Sequence, residues 1–255
     1  MELKPKKTKL SIVIVYTNII QLSEAVSCIE KQTFYPFIET ILLDNRKNDF
    51  LSASRALNFG AKKSTGDVVV FMHQDVYLWD TKLLENYYNF LIGNPRSIVG
   101  IAGVAKSDEK LYYDFCETKR KLYRGNSTNG EIIPAISLDE CMFAMMKSLW
   151  QQLQFDEEVC NNWHFYGADI CFNNIINGGG GKNYIISTRG ACHESTGNPF
   201  NGAFRKNLGA IMMKYKGKLP RILTSCVNMK CTKYSYLKYC IISIMQQIKR
   251  SINKA

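Results

Sequence analysis

The chain has 255 residues, of which 46% are apolar and 22% charged, and its formal net charge is +11. This length allows one large domain or one domain with an appendage, and the composition is that of an ordinary globular protein. The positive charge is concentrated at the end, because residues 195–255 contain 12 Lys and Arg and no Asp or Glu. The remainder of the chain therefore sums to 11 − 12 = −1 and is close to neutral.

The cysteines and the apolar runs exclude several classes of protein. The nine cysteines are odd in number, are scattered and form no C-x-x-C pair. This pattern argues against a disulfide framework and a zinc site, and it favours a reducing, cytoplasmic compartment. The apolar run after Lys9 is only about six residues long, so we expect a first strand there rather than a signal peptide. No stretch reaches the ~20 apolar residues of a membrane-spanning helix.

Strand and helix patterns alternate from the start of the chain. The predicted elements of this part are, in order, the strand Leu10–Tyr16, the helix Gln21–Lys31, the strand Ile38–Leu43, the helix Phe50–Ser64 and the strand Val68–Met72. In the second helix, Leu51, Leu57 and Ala61 are expected to face inward. This βαβαβ order predicts a parallel sheet with right-handed crossovers.

The later elements have shorter or weaker patterns. They are the helix Thr81–Leu91, the strands Ile98–Val104, Glu131–Ser137 and Cys141–Met146, the helix Tyr166–Asn177 and the strand Tyr184–Ser187. The polar, aromatic-rich segment 106–130 is predicted to be a surface loop or a hairpin. The glycine run 178–181 is typical of a helix C-cap and turn.

Polar residues follow each of the first three strands, at positions 16–18, 44–45 and 73–75. The carboxyl ends of parallel strands meet at one sheet edge, so these residues are expected to line one binding crevice. Asp75 ends the most apolar strand and could hold a cation that neutralises a phosphate. No glycine-rich dinucleotide or P-loop motif is present, so a metal must replace that loop. His73 can ligate the same cation, and His193 could reach it from later in the chain.

Several motifs occur in the order and spacing of a known family. They are the opening strand that ends in Tyr16-Thr17-Asn18, then Gln32-Thr33-Phe34, Asp44-Asn45, Arg55-Ala56-Leu57-Asn58, Thr65-Gly66-Asp67, His73-Gln74-Asp75, Phe155-Asp156-Glu157, Tyr166-Gly167-Ala168-Asp169 and His193-Glu194-Ser195. Over roughly residues 10–220 the chain resembles the GT-A fold glycosyltransferases, specifically the family 2-like inverting enzymes. The resemblance implies a GT-A, Rossmann-like α/β fold with a mostly parallel sheet flanked by helices.

The resemblance also implies roles for individual residues. Asp75 would bind Mn²⁺ or Mg²⁺ with His193 and with His73, which replaces the family's first aspartate. Asp169 would be the general base, although Ala168 replaces the preceding acid of the family motif. The implied nucleotide contacts are Tyr16, Thr17, Asn18, Asp44, Asn45, Arg55, His73 and Gln74. The implied sugar or acceptor contacts are Asp139, Glu140, Trp163 and Tyr166.

Structural roles compete with these functional ones. Asp75 could cap the following turn, and Asp169 could be the N-cap of the helix that follows it. Arg55 could be a solvated surface charge, and Trp163 and Tyr166 could belong to the core. His193 could be an ordinary surface histidine.

The expected function is metal-dependent, inverting transfer of a sugar from a nucleotide-diphosphate sugar, with a UDP-sugar favoured. The acceptor would be a glycan or lipid-linked hydroxyl in surface glycan synthesis. One alternative is a non-catalytic nucleotide-sugar-binding module of the same fold. The other is a sugar nucleotidyltransferase, but such enzymes open with a glycine-rich loop after the first strand, where this chain has residues 16–18.

The C-terminal segment forms a separate prediction. We expect a GT-A domain over residues 1–220 and a basic amphipathic helical extension over 221–255. Leu237, Ile241, Ile244 and Ile248 recur at helical spacing among Lys233, Lys238, Lys249 and Arg250. Such a helix suits an anionic membrane surface, which would place a cytoplasmic protein at the inner face of the membrane. Packing on its own domain or on a second subunit, as in a homodimer, is the alternative, and no nucleic-acid-binding motif accompanies the charge.

Overall fold

The computed structural model describes residues 8–117, 122–125, 130–186, 190–194 and 201–252. The strands of this part are β1 (Leu10–Tyr16), β2 (Ile38–Asp44), β3 (Val68–His73), β4 (Val76–Leu78), β5 (Ser97–Gly100), β6 (Gly103–Ala105), β7 (Leu111–Tyr112), β8 (Asp114–Glu117), β9 (Leu122–Gly125), β10 (Ile132–Leu138), β11 (Met142–Met146), β12 (Lys182–Ile186), β13 (Ala191–His193), β14 (Arg221–Leu223) and β15 (Asn228–Lys230). Its helices are α1 (Ile19–Glu30), α2 (Ala53–Lys63), α3 (Leu83–Gly93), α4 (Lys147–Leu153), α5 (Tyr166–Asn177), α6 (Gly202–Tyr215) and α7 (Lys233–Ile252), with a 3₁₀ turn at Tyr35–Phe37.

A nine-stranded sheet in the order β2-β1-β3-β11-β5-β12-β10-β6-β7 forms the centre of the protein. β1 pairs in parallel with both β2 and β3, and β12 pairs in parallel with β5. β11, β10 and β7 run against the other strands. The predicted α/β fold with a mostly parallel sheet flanked by helices is therefore confirmed, with antiparallel strands inserted beyond β3.

Each face of the central strands is covered by a separate apolar layer. Along β1, Ile12 and Ile14 pack into one layer and Val13 into the other, and all three are fully buried. Helices α1 and α3 cover the first layer, and helices α2, α4, α5 and α6 cover the second. A strand that is buried on both faces has a continuous apolar sequence, which is why β1 and β3 could be predicted from sequence.

Some predicted elements differ from the structure. The expected strand Ile98–Val104 divides into β5 and β6, which lie apart in the sheet. Helix α2 begins at Ala53 because the Ser52 side chain accepts a hydrogen bond from Arg55 N and caps the helix. Leu51 therefore precedes the helix and is 68% exposed, so its predicted inward position is wrong. Ser187, the predicted end of the strand at 184, lies outside the described residues.

The segment 106–130 contains β7 and the β8–β9 hairpin in its described part, in agreement with the prediction of a hairpin. The segment after residue 220 contacts the central sheet. Ile222 of β14 is fully buried, and Ser137 Oγ of β10 donates a hydrogen bond to the carbonyl of Leu223. No helix in the described ranges combines the length and the apolar character that crossing a bilayer needs.

Asn58 joins helix α2 to the segment that follows α4. Its side-chain amide donates to Phe155 O and to Glu157 Oε1, both at 2.9 Å. Its side-chain oxygen accepts from Trp150 Nε1 at 3.2 Å and from Phe155 N at 3.1 Å. Because Asn58, Trp150 and Phe155 are buried, removal of the Asn58 side chain would leave the groups of Trp150 and Phe155 without a hydrogen bond in a dry environment, whereas Glu157 is 41% exposed.

Asn58→Ala is accordingly expected to lower the free energy of unfolding by about 2 kcal/mol or more, through the buried partners that it leaves unsatisfied. The matched control is Asn89→Ala, at an exposed position of α3, which should stay within about 0.5 kcal/mol of the parent. Urea unfolding of the two variants gives the comparison. Equal urea midpoints for the two variants would contradict the inference that Asn58 stabilises the contact between α2 and the segment after α4.

Candidate functional site

The site is built where β3 ends and the chain turns into β4. β4 forms a short antiparallel ladder with β13, in which Val76 is paired with His193. The backbone N–H of Glu194 donates to the carbonyl of Asp75 at 3.0 Å. This ladder carries His193, which is 120 residues away from His73 in the chain, to the carboxyl end of β3.

Three potential ligand side chains converge at this point. His193 Nε2 lies 3.4 Å from Asp75 Oδ1, and His73 Nδ1 lies 4.0 Å from the same oxygen. The two imidazole nitrogens are 3.4 Å apart. One ligand atom of each residue lies within 4.8 Å of the others, so that a single cation could contact all three. The predicted metal residues Asp75, His193 and His73 are thus brought together.

Hydrogen bonds around the cluster orient His73 as a ligand. The hydroxyl of Tyr166 donates to the carbonyl of Glu140 at 3.3 Å and lies 2.7 Å from His73 Nε2. With its own proton directed at Glu140, this hydroxyl accepts from His73 Nε2–H. The lone pair of His73 then lies on Nδ1, the nitrogen that faces Asp75 and His193.

The charges of the cluster also suit a cation. Burial, assisted by the charge of His193, lowers the pKa of His73 to about 4, so that its imidazole is neutral at physiological pH. Burial opposes ionisation of Asp75, but hydrogen bonding and the charge of His193 hold its pKa below the ordinary value. Asp75 therefore stays a carboxylate. A neutral imidazole and a carboxylate are the forms that bind metals. Burial alone would lower the pKa of His193, but the hydrogen bond and the charge of Asp75 outweigh burial and raise that pKa, so a bound cation would have to displace the proton of His193.

The donor set fits a divalent transition metal. Two imidazole nitrogens and one carboxylate oxygen are offered, whereas Mg²⁺ prefers oxygen donors and keeps several waters. Of the two predicted ions, Mn²⁺ therefore matches these side chains better. His73, Asp75 and His193 would hold it.

A cavity of about 320 Å³ opens beside the cluster. Its floor is apolar and comes from β1, β3 and α2, and its rim is polar. The side chains that line it are Val15, Thr17, Asn45, Asn48, Ala53, Leu57, Phe71, Met72, His73, Gln74, Asp75, Glu140, Trp163 and Tyr166. A pocket of this size, with an apolar floor and few polar groups, is typical of a small-molecule site.

Four of the predicted nucleotide residues line this cavity: Thr17, Asn45, His73 and Gln74. Gln74 Oε1 accepts from the backbone N–H of Thr17 at 2.7 Å, which fixes the loop after β1. Asn45 exchanges hydrogen bonds with the backbone of Phe50 and so braces the loop after β2. Both residues shape the cavity wall in addition to lining it.

The other four predicted nucleotide residues lie outside the cavity lining. Three of them have local partners. The side chain of Asn18 caps α1, Asp44 binds Arg46 with Nη2–Oδ2 at 2.6 Å, and Arg55 Nε lies 3.6 Å from Glu157 Oε2. The fourth, Tyr16, has the guanidinium of Arg46 over its ring at 5.8 Å. Asp44 and Arg55 are thus paired with nearby charges of opposite sign, outside the lining of this cavity.

Asn48 lines the cavity but was missed by the sequence analysis. Its backbone has a φ of 59°, in the left-handed region that Asn tolerates better than most residues. The signal that could have found it is its place in the polar run that follows β2, in which an Asn can form a tight turn.

Three of the predicted sugar or acceptor residues, Glu140, Trp163 and Tyr166, line the cavity. Asp139 lies on the far side of Glu140, where its Oδ1 accepts from Cys141 N at 3.1 Å. Both acids line a second, smaller cavity of about 90 Å³. Its other lining residues are Leu138, His164, Phe165, Ala168, Phe204, Thr224, Ser225 and Cys226. Glu140 thus separates the two cavities.

Asp169 does not lie where a general base is needed. Its side chain is 1% exposed, and it lines neither of these cavities. Lys214 Nζ lies 2.8 Å from its carboxylate, and the hydroxyl of Tyr215 donates to Oδ1 at 2.8 Å. The alternative N-cap role is also wrong, since α5 begins at Tyr166 with Phe165 as its cap residue. Asp169 joins α5 to α6.

Comparisons with known proteins agree with this geometry. Residues 46–153 match the family model described as "Glycosyl transferase family 2". This segment contains Asn48, β3, Asp75 and Glu140. No curated protein sequence matches the chain.

Solved structures give the same result for the fold. GalNAc-T7 with UDP, GalNAc and Mn²⁺ is 13% identical, with a TM-score of 0.58 over 82% of this chain and 48% of that chain. Residues 1–349 of S. aureus TarS are 13% identical, with a TM-score of 0.54 over 83% of this chain and 67% of that chain. The same part of TarS in complex with UDP is 14% identical, with a TM-score of 0.53 over the same shares of the two chains. The chain spans about half of the length of the GalNAc-T7 chain.

The predicted GT-A fold is therefore confirmed, and so is the resemblance to family 2-like glycosyltransferases. The family match over residues 46–153 supports glycosyltransferase as the class of enzyme, and the structural neighbours show the fold.

Asp169→Asn is expected to lower the free energy of unfolding by about 3 kcal/mol, because it leaves Lys214 with one partner fewer in a buried position. Asp156→Asn is the matched control. Asp156 contacts the same lysine at 2.9 Å but is 30% exposed, so its loss should cost clearly less. Chemical denaturation of both variants provides the measurement. A larger loss for Asp156→Asn would contradict the assignment of Asp169 as a buried structural carboxylate.

Proposed function

We propose that this protein is a metal-dependent, inverting glycosyltransferase that transfers a sugar from a nucleotide-diphosphate sugar to a hydroxyl acceptor. The observation that carries the proposal is the cluster of His73, Asp75 and His193 at the mouth of a nucleotide-sized cavity. These three side chains would hold the cation beside the cavity. When bound, the cation neutralises the charge that develops on the departing nucleoside diphosphate.

Different side chains of the cavity would bind different parts of the donor. Thr17, Asn45 and Asn48 offer hydrogen bonds to a base and ribose, and Trp163 offers an aromatic face at the rim. His73 and Asp75 face the diphosphate end, next to Tyr166. The donor is therefore oriented with its sugar towards Glu140.

A UDP-sugar with Mn²⁺ is the favoured donor complex. The solved structures that share the fold include GalNAc-T7 with UDP, GalNAc and Mn²⁺, and TarS with UDP. The two imidazoles of the cluster favour Mn²⁺ over Mg²⁺ on independent chemical grounds. The acceptor we propose is a saccharide or a lipid-linked hydroxyl in surface glycan synthesis.

Two rival functions give different results in solution. A non-catalytic binding module would bind the nucleotide without turnover, and a sugar nucleotidyltransferase would release pyrophosphate from a nucleoside triphosphate. The first rival is weakened by the position of His73, which contributes to the ligand set although the family's first aspartate is absent. The second rival would need a phosphate-binding loop after β1, where Thr17 and Asn18 stand instead.

Nucleotide binding should depend on the metal cluster. We expect UDP to raise the melting temperature in the presence of Mn²⁺, less in Mg²⁺ and hardly at all in EDTA, because a ligand of the native state stabilises it by mass action. GDP, CDP and dTDP are compared in the same panel. Asp75→Asn should abolish the Mn²⁺-dependent part of the shift.

The control for this measurement is Glu158→Gln, the same change of charge at an exposed carboxylate. Its shift should equal that of the parent. A nucleotide shift that is unchanged by EDTA and by Asp75→Asn would contradict the metal-dependent donor site.

Helix α7 has one face packed on the domain and one exposed apolar face. One face of it packs on α6, where the hydroxyl of Tyr236 donates to Arg205 O at 3.1 Å and Ser243 is buried. The opposite face exposes a row of apolar side chains at helical spacing: Tyr234, Leu237, Ile241, Ile244 and Met245. Ile248, Lys249 and Arg250, which were predicted to extend this pattern, have side chains outside the described residues.

We further propose that this apolar row, which we call the α7 stripe, lies on an anionic membrane surface. The last 61 residues contain 12 basic side chains and no acidic ones, a composition that complements anionic lipid. Exposed apolar side chains flanked by Lys233 and Lys238 are typical of helices that lie in the membrane interface. The protein would then act as a peripheral protein at the cytoplasmic face. A second copy covering the α7 stripe is the competing occupant.

The double substitution Leu237→Gln and Ile241→Gln should reduce binding to vesicles of phosphatidylserine and phosphatidylcholine at least tenfold, since it removes the apolar contact but keeps the charge. Binding of the parent to phosphatidylcholine alone should be weak. Ile92→Gln, at an exposed apolar position of α3, is the matched control. Co-sedimentation and light scattering are measured on the same samples. Loss of a dimer instead of loss of vesicle binding would assign the α7 stripe to a protomer interface.

A further inference from the structure

Attack of an acceptor hydroxyl on the donor sugar requires a group that takes its proton. The family motif aligns Asp169 with that role, but here Asp169 is buried and is bound by Lys214 and Tyr215. A general base must come within hydrogen-bond reach of the hydroxyl that it deprotonates. Moving Asp169 to the cavity would require breaking its ion pair and separating α5 from α6. Another carboxylate is therefore needed.

Glu140 lines the donor cavity, whereas Asp169 does not. It follows the end of β10 and forms the wall between the donor cavity and the second cavity. The side of the second cavity is lined by polar groups of His164, Thr224 and Ser225, which suit an approaching hydroxyl. Of the acids in the described part of the chain, Asp75 and Glu140 line the donor cavity, and Asp75 belongs to the metal cluster.

Helix α5 holds the Glu140 side chain in place. The backbone N–H of Gly167 donates to Glu140 Oε1 at 3.2 Å. A Cβ at Gly167 would lie 3.0 Å from Glu140 Cγ, so that only glycine allows α5 to approach this closely without displacing the acid. The first turn of a helix also favours a negative charge through its free N–H groups. N–H groups at the start of α5 therefore hold the carboxylate in the wall between the two cavities.

We propose that Glu140 is the general base of the glycosyl transfer; this inference rests on the proposed function. The acceptor hydroxyl reaches Glu140 from the second cavity and attacks the anomeric carbon on the face opposite to the diphosphate. Its oxygen forms the new C–O bond, and its proton passes to a Glu140 oxygen. The bond from the anomeric carbon to the diphosphate oxygen breaks, and its electron pair leaves with the nucleoside diphosphate. No oxidant or further reactant is needed.

The electrostatic environment suits this role. Burial, and to a lesser extent the charge of Asp139, raise the pKa of Glu140 to about 8, although the N–H groups at the start of α5 oppose the shift. A base is most effective when its pKa is near the pH at which the enzyme operates. The titratable groups that face Glu140 from the neighbouring elements are Asp139, Cys141, Cys160, His164, Tyr166, Cys171 and Cys226.

The test compares Glu140→Gln with Asp169→Asn and with the exposed control Glu158→Gln. The probe is a panel of UDP-hexoses and UDP-N-acetylhexosamines with Mn²⁺, and UDP release to water or to methyl glycosides is measured. Glu140→Gln should lower the rate by about 100-fold or more, the range for loss of a general base. It should keep the melting shift with UDP and Mn²⁺, because the nucleotide contacts are unchanged. The rate of the parent should rise with pH as Glu140 loses its proton, and this rise should be missing in Glu140→Gln.

Asp169→Asn, measured below its melting temperature and per folded molecule, should stay within a few-fold of the parent. Parent-like turnover in Glu140→Gln would overturn the assignment. A large loss in folded Asp169→Asn with turnover kept in Glu140→Gln would return the base to Asp169. If the unaltered protein binds UDP with Mn²⁺ but Glu140→Gln retains its rate, only this inference fails. If the unaltered protein neither binds UDP nor releases it from any donor, the proposed function fails first and this inference with it.

Discussion

The short ladder between β4 and β13 is the contact on which the candidate site depends. β3 delivers His73 and Asp75 by its own geometry, since a buried strand must end at the sheet edge. His193 has no such path, because it lies far along the chain. The pairing of Val76 with His193, and the hydrogen bond from Glu194 N to Asp75 O, place its imidazole 3.4 Å from Asp75 Oδ1. Without this ladder, only the side chains of His73 and Asp75 would remain at the site.

Burial shifts the pKa of one titratable side chain on each side of the cleft. At the metal cluster it keeps His73 neutral, which prepares a lone pair for a cation. At Glu140 it raises the pKa towards the working range of a base. Tyr166 connects these two sides, because its hydroxyl contacts His73 Nε2 and the backbone carbonyl of Glu140. The two sides of the cleft are therefore held in one hydrogen-bonded frame.

Local patterns in the sequence predicted much of this protein. β1 and α5 have the predicted bounds, because a strand buried on both faces and a helix closed by glycines leave strong signals. The order of strands beyond β3 could not be predicted, since an apolar strand such as β11 has the same pattern whether it pairs in parallel or antiparallel.

The sequence predicted that His73, Asp75 and His193 come together, but it did not predict that Asp169 is buried in an ion pair. A sequence motif indicates that an acid is present, but it does not indicate which residue pairs with that acid in the folded protein. Lys214 lies 45 residues after Asp169 and on another helix, so the ion pair that buries Asp169 has no signature near the motif. Asp44 also has a local partner, because Arg46, two residues away, binds it.

We propose that His73, Asp75 and His193 hold a divalent cation beside the cavity that binds the nucleotide. A crystal structure of the protein grown with Mn²⁺ and UDP, with anomalous diffraction used to locate the manganese, would test this proposal. We expect one manganese peak in contact with all three side chains and with the diphosphate, and the uridine in the cavity beside Asn45 and Asn48. Diphosphate bound in that cavity with no manganese at these three residues, or manganese bound at other residues, would contradict it.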